Sequence, residues 1–308
     1  MLDLAVVILT RNEEIHIARA LESVSRIARE IFIIDSHSTD RTPQIAAAAG
    51  AIVMTNTFVN YAKQYEWALQ NAPISAAWVM RLDADELLTV ELQDELQRLL
   101  PRLPPDVTGV NLNRRHIFLG RWIRHGGRYP LRLLRIWRRG MARIESRWMD
   151  EHMTLLSGRA ITCAHDFVDH NLNDLGYFTD KHNKYATREA IDVLKERHRL
   201  GQPTEDLKSE KSSLQAAIKR TLKVRLYNRL PLWAGPTLYF SYRYIVQLGF
   251  LDGREGLIYN VLQGFWYRFL VAAKIVEFER ALESVDERGD KIATLSRLTG
   301  YAIEDLRS

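Results

Sequence analysis

The chain has 308 residues, 46% of them apolar and 26% charged, with a net charge of +5. That is the balance of a globular protein with ample core, and it excludes a disordered or fibrous class. A single cysteine, Cys163, excludes an internal disulfide and any multi-cysteine zinc site.

Leu4 to Leu9 is rich in β-branched residues and reads as a buried strand. The run is too short for a signal peptide, so a cytoplasmic start is expected. Thr10-Arg11-Asn12-Glu13-Glu14 ends the strand, with Asn12 the expected cap of a helix through Ile17, Leu21 and Val24. Ile31 to Ile34 reads as a second strand, broken by Asp35-Ser36-His37-Ser38-Thr39-Asp40. Arg41-Thr42-Pro43 opens a helix that closes at Gly50. Ala51 to Met54 is a third strand, Tyr61 to Leu69 a third helix, and Trp78-Val79-Met80 the end of a fourth strand. Such alternation predicts a parallel sheet between layers of helices.

Ligands in open α/β sheets gather beyond the carboxyl ends of the strands, and here two of those ends carry acids. Asp35 can accept hydrogen bonds from a ribose or a base edge. Asp83 and Asp85, two positions apart, point the same way in extended backbone. Their repulsion is relieved by a hard cation such as Mg²⁺ or Mn²⁺, which keeps waters and takes phosphate oxygens as further ligands. A solvated turn capping the next helix is the structural alternative. Neither a P-loop nor a G-x-G-x-x-G follows the first strand. A nucleotide whose phosphates are held by metal fits better, which points to a nucleotide-sugar.

Val6 to Glu14, Asp35 to Asp40 and Leu82-Asp83-Ala84-Asp85-Glu86 resemble, in order and spacing, three signatures of family-2 glycosyltransferases of the GT-A fold. The later segments are similar to bacterial enzymes of lipopolysaccharide-core and exopolysaccharide assembly. The resemblance implies a mixed α/β sheet flanked by helices and an inverting transfer from a nucleotide-sugar, a UDP-sugar first. It implies that Asp35 contacts the nucleoside, Asp83 the ribose or sugar side, and Asp85 the metal, while Thr10, Asn12 and Glu14 line the nucleotide pocket. His37 stands where many relatives have glycine.

Pro101, Pro104 and Pro105 suggest a linker. From Arg114 to Arg147 there are eleven arginines and one acid, Glu145. Arginine forks suit phosphate oxygens, so Arg128 and Arg132 are candidates for an acceptor or lipid phosphate. A solvated sheet face is the alternative. No nucleic-acid motif is present, and no nucleic-acid partner is expected. An inverting transfer needs a base for the acceptor hydroxyl, and the resemblance places it at Glu151, with Asp150 second. Of His165 and His170, the resemblance favours His170 on the metal or the departing diphosphate.

A long helix is expected from Asn173 onward, and the polar run Gly201 to Asp206 places the end of the catalytic domain near residue 205. Lys219, Arg220, Lys223, Arg225 and Arg229 then precede an aromatic, interrupted apolar stretch to about residue 278. That pattern suits an amphipathic helical region lying on an anionic membrane. Its alternative is a helical layer against the catalytic domain or a second subunit. No run reaches the ~20 apolar residues of a simple spanning helix. Residues 279–308 read as a polar helical tail that could join subunits into a homo-oligomer.

The expected protein is a peripheral enzyme of the cytoplasmic face of the membrane, acting on a lipid-linked saccharide or lipopolysaccharide-core acceptor. Two alternatives differ in kind. A sugar-nucleotidyltransferase would carry a glycine-rich, lysine-bearing loop where Thr10 to Glu14 has none. A catalytically silent membrane scaffold would not need intact Asp83, Asp85 and Glu151.

Overall fold

The computed structural model describes residues 1–145, 152–198, 200, 231–285, 287–301 and 303. The chain divides into two compact units, Met1–Asn173 and Asp174–Ser308. The boundary expected near residue 205 lies outside the described residues, as do Asp150, Glu151 and the basic run Lys219 to Arg229.

The first unit carries a mixed sheet in the order β3-β2-β1-β4-β8-β6-β11-β5. β1 (Leu2–Thr10), β2 (Ala28–Asp35), β3 (Ile52–Thr55) and β4 (Trp78–Asp83) form its parallel half, as the alternation with α1 (Ile17–Ser25), α2 (Thr42–Ala48) and α3 (Tyr61–Asn71) predicts. β5 (Glu86–Leu88) and α4 (Val90–Leu99) follow. The antiparallel part comes from β8 (Leu131–Arg138), which pairs with both β4 and β6 (Val107–Phe118). β11 (Arg159–Asp169) runs parallel to β6 and antiparallel to β5. The short β7 (Arg121–Trp122) folds back on β6, and β9 (Ala142–Ile144) and β10 (Met153–Leu155) form a separate ribbon.

Alternate residues of β1 feed two cores, which is why its apolar run is nearly continuous. Leu4, Val6 and Ile8 pack with Ile17, Leu21 and Val24 of α1 and with Leu92 and Leu96 of α4. Ala5 and Val7 pack with Phe32, Ile34, Tyr65 and Ala68, joined by Trp137 and Met153. Each fully buried Leu, Ile or Phe contributes about 1.5–3 kcal/mol, so the strand is pinned from both faces.

Two sequence expectations change. Pro101, Pro104 and Pro105 do not mark a linker: a short 3₁₀ turn at Leu100–Arg102 leads straight into β6, which enters the same sheet between β8 and β11. Arg138 fastens that turn by donating to the carbonyls of Leu103 and Val107, at 3.1 and 3.0 Å. Asn12 does not cap α1. It adopts a left-handed conformation (φ 57°), and its side-chain oxygen accepts from the Thr39 N–H at 2.8 Å, across the neighbouring loop.

In the second unit, α5 (Leu175–His198) packs on α8 (Tyr267–Leu282) through Ala186, Tyr267 and Val271. Glu189 accepts from the Tyr267 hydroxyl at 2.6 Å and from Arg268 at 2.8 Å. α6 (Ala234–Ser241) and α7 (Gly253–Tyr259) each run into a wider π-type turn, and α9 (Arg288–Thr299) lies near the C-terminus. Among the described residues no helix is long and apolar enough to cross a membrane.

The turn into β11 rests on Gly158, whose φ of +78° suits glycine, and whose absent Cβ would stand 2.8 Å from the Asp106 carbonyl oxygen and against Thr108. Gly158→Ala should therefore lower stability by about 2–4 kcal/mol, read as a fall in the urea midpoint at unchanged slope.

Candidate functional site

The site forms where the parallel strands end. Thr10 lies opposite Asp35 in the β1–β2 ladder, and Leu9 lies opposite Asp83 in the β1–β4 ladder. Three adjacent strands thus present Asp35, Thr10 and Asp83 along one edge, each at or beside the last ladder pair.

On the β1–β2 side the loops brace one another. Asp35 is buried and accepts from the Thr10 hydroxyl at 3.0 Å, the Ser38 hydroxyl at 2.5 Å and the Ser38 N–H at 2.8 Å. The Asn12 N–H donates to the Ser38 hydroxyl at 2.8 Å, and the Glu14 carboxylate accepts from the Arg41 N–H at 3.2 Å. His37 adopts a left-handed conformation (φ 56°), which accounts for the preference for glycine implied at this position. The four residues Thr10, Asn12, Glu14 and Asp35 are brought together as a pair of interlocked loops.

On the β4 side lies a dense charge cluster. Asp83 accepts from the Tyr61 hydroxyl at 2.5 Å and lies 3.7 Å from both Arg81 and Arg135. Arg135, buried in the middle of β8, donates to Glu86 at 2.5 Å, while the other Glu86 oxygen accepts from the Asp83 N–H at 2.9 Å. Arg81 also lies 4.2 Å over the Tyr61 ring. Burial opposes the charge on Asp83, but Arg81, Arg135 and the Tyr61 hydroxyl outweigh it and hold its carboxyl below the usual range. Burial pushes Glu86 up to about 8 against the pull of Arg135, with Asp83, Asp169 and Asp85 adding to the rise. Burial likewise keeps the Tyr61 hydroxyl protonated and a donor.

Asp85 begins the third part. Its carbonyl accepts from the His170 N–H at 3.0 Å, and its carboxylate accepts from the Asn171 side-chain amide at 2.9 Å. Arg19 of α1 donates to the His170 carbonyl at 3.0 Å. Burial, then Arg19, lowers the pKa of His170, so its imidazole is neutral and able to act as a ligand at neutral pH. His165 is elsewhere, exposed and 2.8 Å from Glu95 of α4. Among the described residues no three His, Cys, Asp or Glu side chains converge as a metal-binding group. A hard cation that keeps waters and takes diphosphate oxygens needs only one or two protein carboxylates. Asp85, with Asp83 two residues before it, fits that open kind of site for Mg²⁺ or Mn²⁺.

Arg132 is exposed on β8 and Arg128 half-buried in the turn before it. Much of the surrounding basic density is met inside the sheet: Arg114 lies 3.4 Å from Asp169, Arg115 3.0 Å from Asp166, and Arg135 on Glu86. Sequence reasoning missed Arg135, Tyr61, Arg19 and Asn171. Only Arg135 left a signal, a charge embedded between Leu134 and Ile136-Trp137 in a strand pattern.

The sequence model for glycosyl transferase family 2 matches residues 5–165. An uncharacterized glycosyltransferase of Rickettsia typhi is 42% identical over 90 residues, covering 29% of this chain and 30% of that protein. The lipopolysaccharide core biosynthesis glycosyltransferase LpsC of Rhizobium meliloti is 33% identical over 149 residues, 47% of this chain and 54% of that protein. The chain thus spans less than two thirds of either relative. Among solved structures, glucosyl-3-phosphoglycerate synthase from Mycobacterium tuberculosis in complex with Mn²⁺, UDP and glucosyl-3-phosphoglycerate is 23% identical. It covers 37% of this chain and 44% of that one at a TM-score of 0.31, too slight a likeness to bear on function.

Removing the buried counter-charge should be costly. Arg135→Met leaves Glu86 without its partner and should lower stability by about 3–5 kcal/mol, measured by chemical denaturation. Arg135→Met with Glu86→Gln should recover a substantial part of that loss.

Proposed function

The chain belongs to glycosyl transferase family 2, and on that footing we propose that it moves a sugar, with inversion, from a nucleotide-sugar to a lipid-linked saccharide or lipopolysaccharide-core acceptor. Its mixed sheet between helices is the GT-A arrangement. The observation that carries the proposal is the shared edge: Thr10, Asp35 and Asp83 on adjoining strand ends, with Asp85 and His170 linked beside them.

In this reading Asp35 takes the nucleoside, with Thr10, Asn12 and Glu14 around it, and Asp83 takes the ribose or sugar side. Asp85 and His170, together with Asp83, would hold Mg²⁺ or Mn²⁺. The bound cation supplies positive charge where the leaving diphosphate becomes more negative. Glu151, with Asp150 as second choice, accepts the acceptor hydroxyl's proton. The hydroxyl oxygen bonds to the anomeric carbon from the face opposite the diphosphate, the bond to the diphosphate oxygen breaks, and the nucleoside diphosphate departs. A UDP-sugar is the first donor to try. The likeness to LpsC over 149 residues supports an acceptor of the lipopolysaccharide-core kind. Such an acceptor places the enzyme at the cytoplasmic face of the cell membrane, where Arg128 and Arg132 would meet its phosphates.

Nucleoside diphosphate release from a panel of donors, with membrane extract as acceptor, tests the reaction. Asp85→Ala should cut turnover by about a hundredfold or more, ~2.7 kcal/mol, and excess chelator should mimic it until Mn²⁺ or Mg²⁺ is restored. Full turnover in chelator would remove the metal from the proposal. Glu151→Gln should keep donor binding while lowering transfer by about 10²–10⁴. If Asp150→Asn is the damaging change instead, the base lies one residue earlier.

A further inference from the structure

Part of the second unit is built with its polarity reversed. Between Leu232 and Val261 eleven large apolar side chains are exposed, among them Trp233 and Ile245 at 60% and Val246 at 67%. Over Pro231 to Gly253 the only charged residues are Arg243 and Asp252, and both are 3% exposed. Asn260 is fully buried. A water-soluble helical cluster would show the charges and hide the aliphatics.

The interior is packed as apolar surroundings require. Arg243 lies 5.6 and 5.9 Å from the rings of Tyr239 and Tyr259. The Asn260 amide donates to the Gly256 carbonyl at 2.8 Å. Glycines bring the backbones together: a Cβ on Gly249 would stand 2.9 Å from the Arg243 carbonyl oxygen, and one on Gly256 would stand 2.9 Å from the Gly249 carbonyl oxygen. Small residues at close approaches, polar groups turned inward and an apolar exterior are what helices adopt against lipid.

We infer that the outer face of Leu232–Val261 sits in the headgroup and upper acyl region of an anionic bilayer, with Ile245 to Leu251 as its deepest turn. The inference rests on the lipid acceptor proposed above. The eight residues of α6 span only ~12 Å against a ~30 Å hydrocarbon core, so the segment enters one leaflet and does not cross. From Pro231 to Gly253 the face shows no exposed charge and offers a protein partner no electrostatic register, and up to Val261 only Arg254 and Glu255, after it, are charged and not buried. Directly before it in sequence stand Lys219, Arg220, Lys223, Arg225 and Arg229 with no acid among them, which suits anionic headgroups. The aromatic residues Trp233, Tyr242 and Phe250 in the exposed set suit the interface between the two regions.

The test uses the full chain, sedimented with vesicles of phosphatidylcholine containing phosphatidylglycerol, beside a Val246→Glu/Phe250→Glu variant. Both positions are exposed, so the melting temperature and nucleoside diphosphate release without lipid should match the parent. The parent should bind, and high salt should weaken binding without abolishing it. The variant should bind about tenfold more weakly or worse. A parent that ignores these vesicles at low salt, or a variant that binds equally well, overturns the inference. So does a parent that dimerises without binding vesicles while the variant is monomeric, which would make the face a subunit interface. Donor cleavage is measured separately: its absence would count against the transferase reading and leave the vesicle result standing.

Discussion

The arrangement of the first unit depends on holding several carboxylates at one sheet edge. Two like charges about 4 Å apart at an effective dielectric of ~20 repel by about 4 kcal/mol, and here Asp83, Asp85 and Asp169 all act on Glu86, and Asp169 on Asp83. Arg135 and Arg81 are the counterweight. Arg135 reaches Glu86 at 2.5 Å and Asp83 at 3.7 Å from a buried position in β8. This explains why an antiparallel strand lies beside β4: β8 brings the positive charge to the acids. It also divides their roles, because both Glu86 oxygens are taken by Arg135 and the Asp83 N–H. Glu86 is thereby a structural acid that fixes the turn, while Asp83 and Asp85 stand at the strand end.

The parallel half was legible because its strands are β-branched runs separated by amphipathic helices, a pattern in which local and tertiary preferences agree. The acids ending β2 and β4 were legible for the same reason, since a strand end is where chemistry gathers. The other half was harder to see. Pro101, Pro104 and Pro105 have the same local effect in a linker as in a tight turn between elements, and only the pairing of β6 tells them apart. Arg135 sits in a run of arginines alike in composition, and the acids it meets come from β4 and β5, some fifty residues away. Asn12 carries both a cap's chemistry and a left-handed residue's, and the loop from Asp35 to Asp40 decides between them. Asp150 and Glu151 fall outside the described residues.

The second unit shows a different limit. Amphipathicity in the stretch from Leu232 onward is visible in sequence, but its direction is not. Arg243 and Asp252 look like interruptions that should face water, and the fold turns them inward. Periodicity alone cannot show this, because a reversed pattern has the same period as an ordinary one. The low charge of Pro231 to Gly253 was the available sign, together with glycines at the close approaches.

Within the first unit, α1 joins the two halves of the site. The Leu172 N–H donates to His16 Nε2 at 2.9 Å, so the ring proton resides on Nδ1, which donates to Glu13 at 2.6 Å. The Glu13 N–H donates to the Thr42 hydroxyl at 2.7 Å, and that hydroxyl donates to Asp40 at 2.6 Å. Asp40 in turn accepts from the Glu14 N–H at 3.1 Å. Three residues further on, within α1, Arg19 holds the His170 carbonyl, and Asn171 holds Asp85. The loop after β1, the loop after β2 and the segment after β11 are thus links of one chain of hydrogen bonds, anchored on a fully buried imidazole. A shift of α1 would move the Asp35 loop and the Asp85 turn together. Dipoles fixed in this way need little rearrangement when charge develops at a bound phosphate, which is the condition under which polar groups stabilise a transition state most.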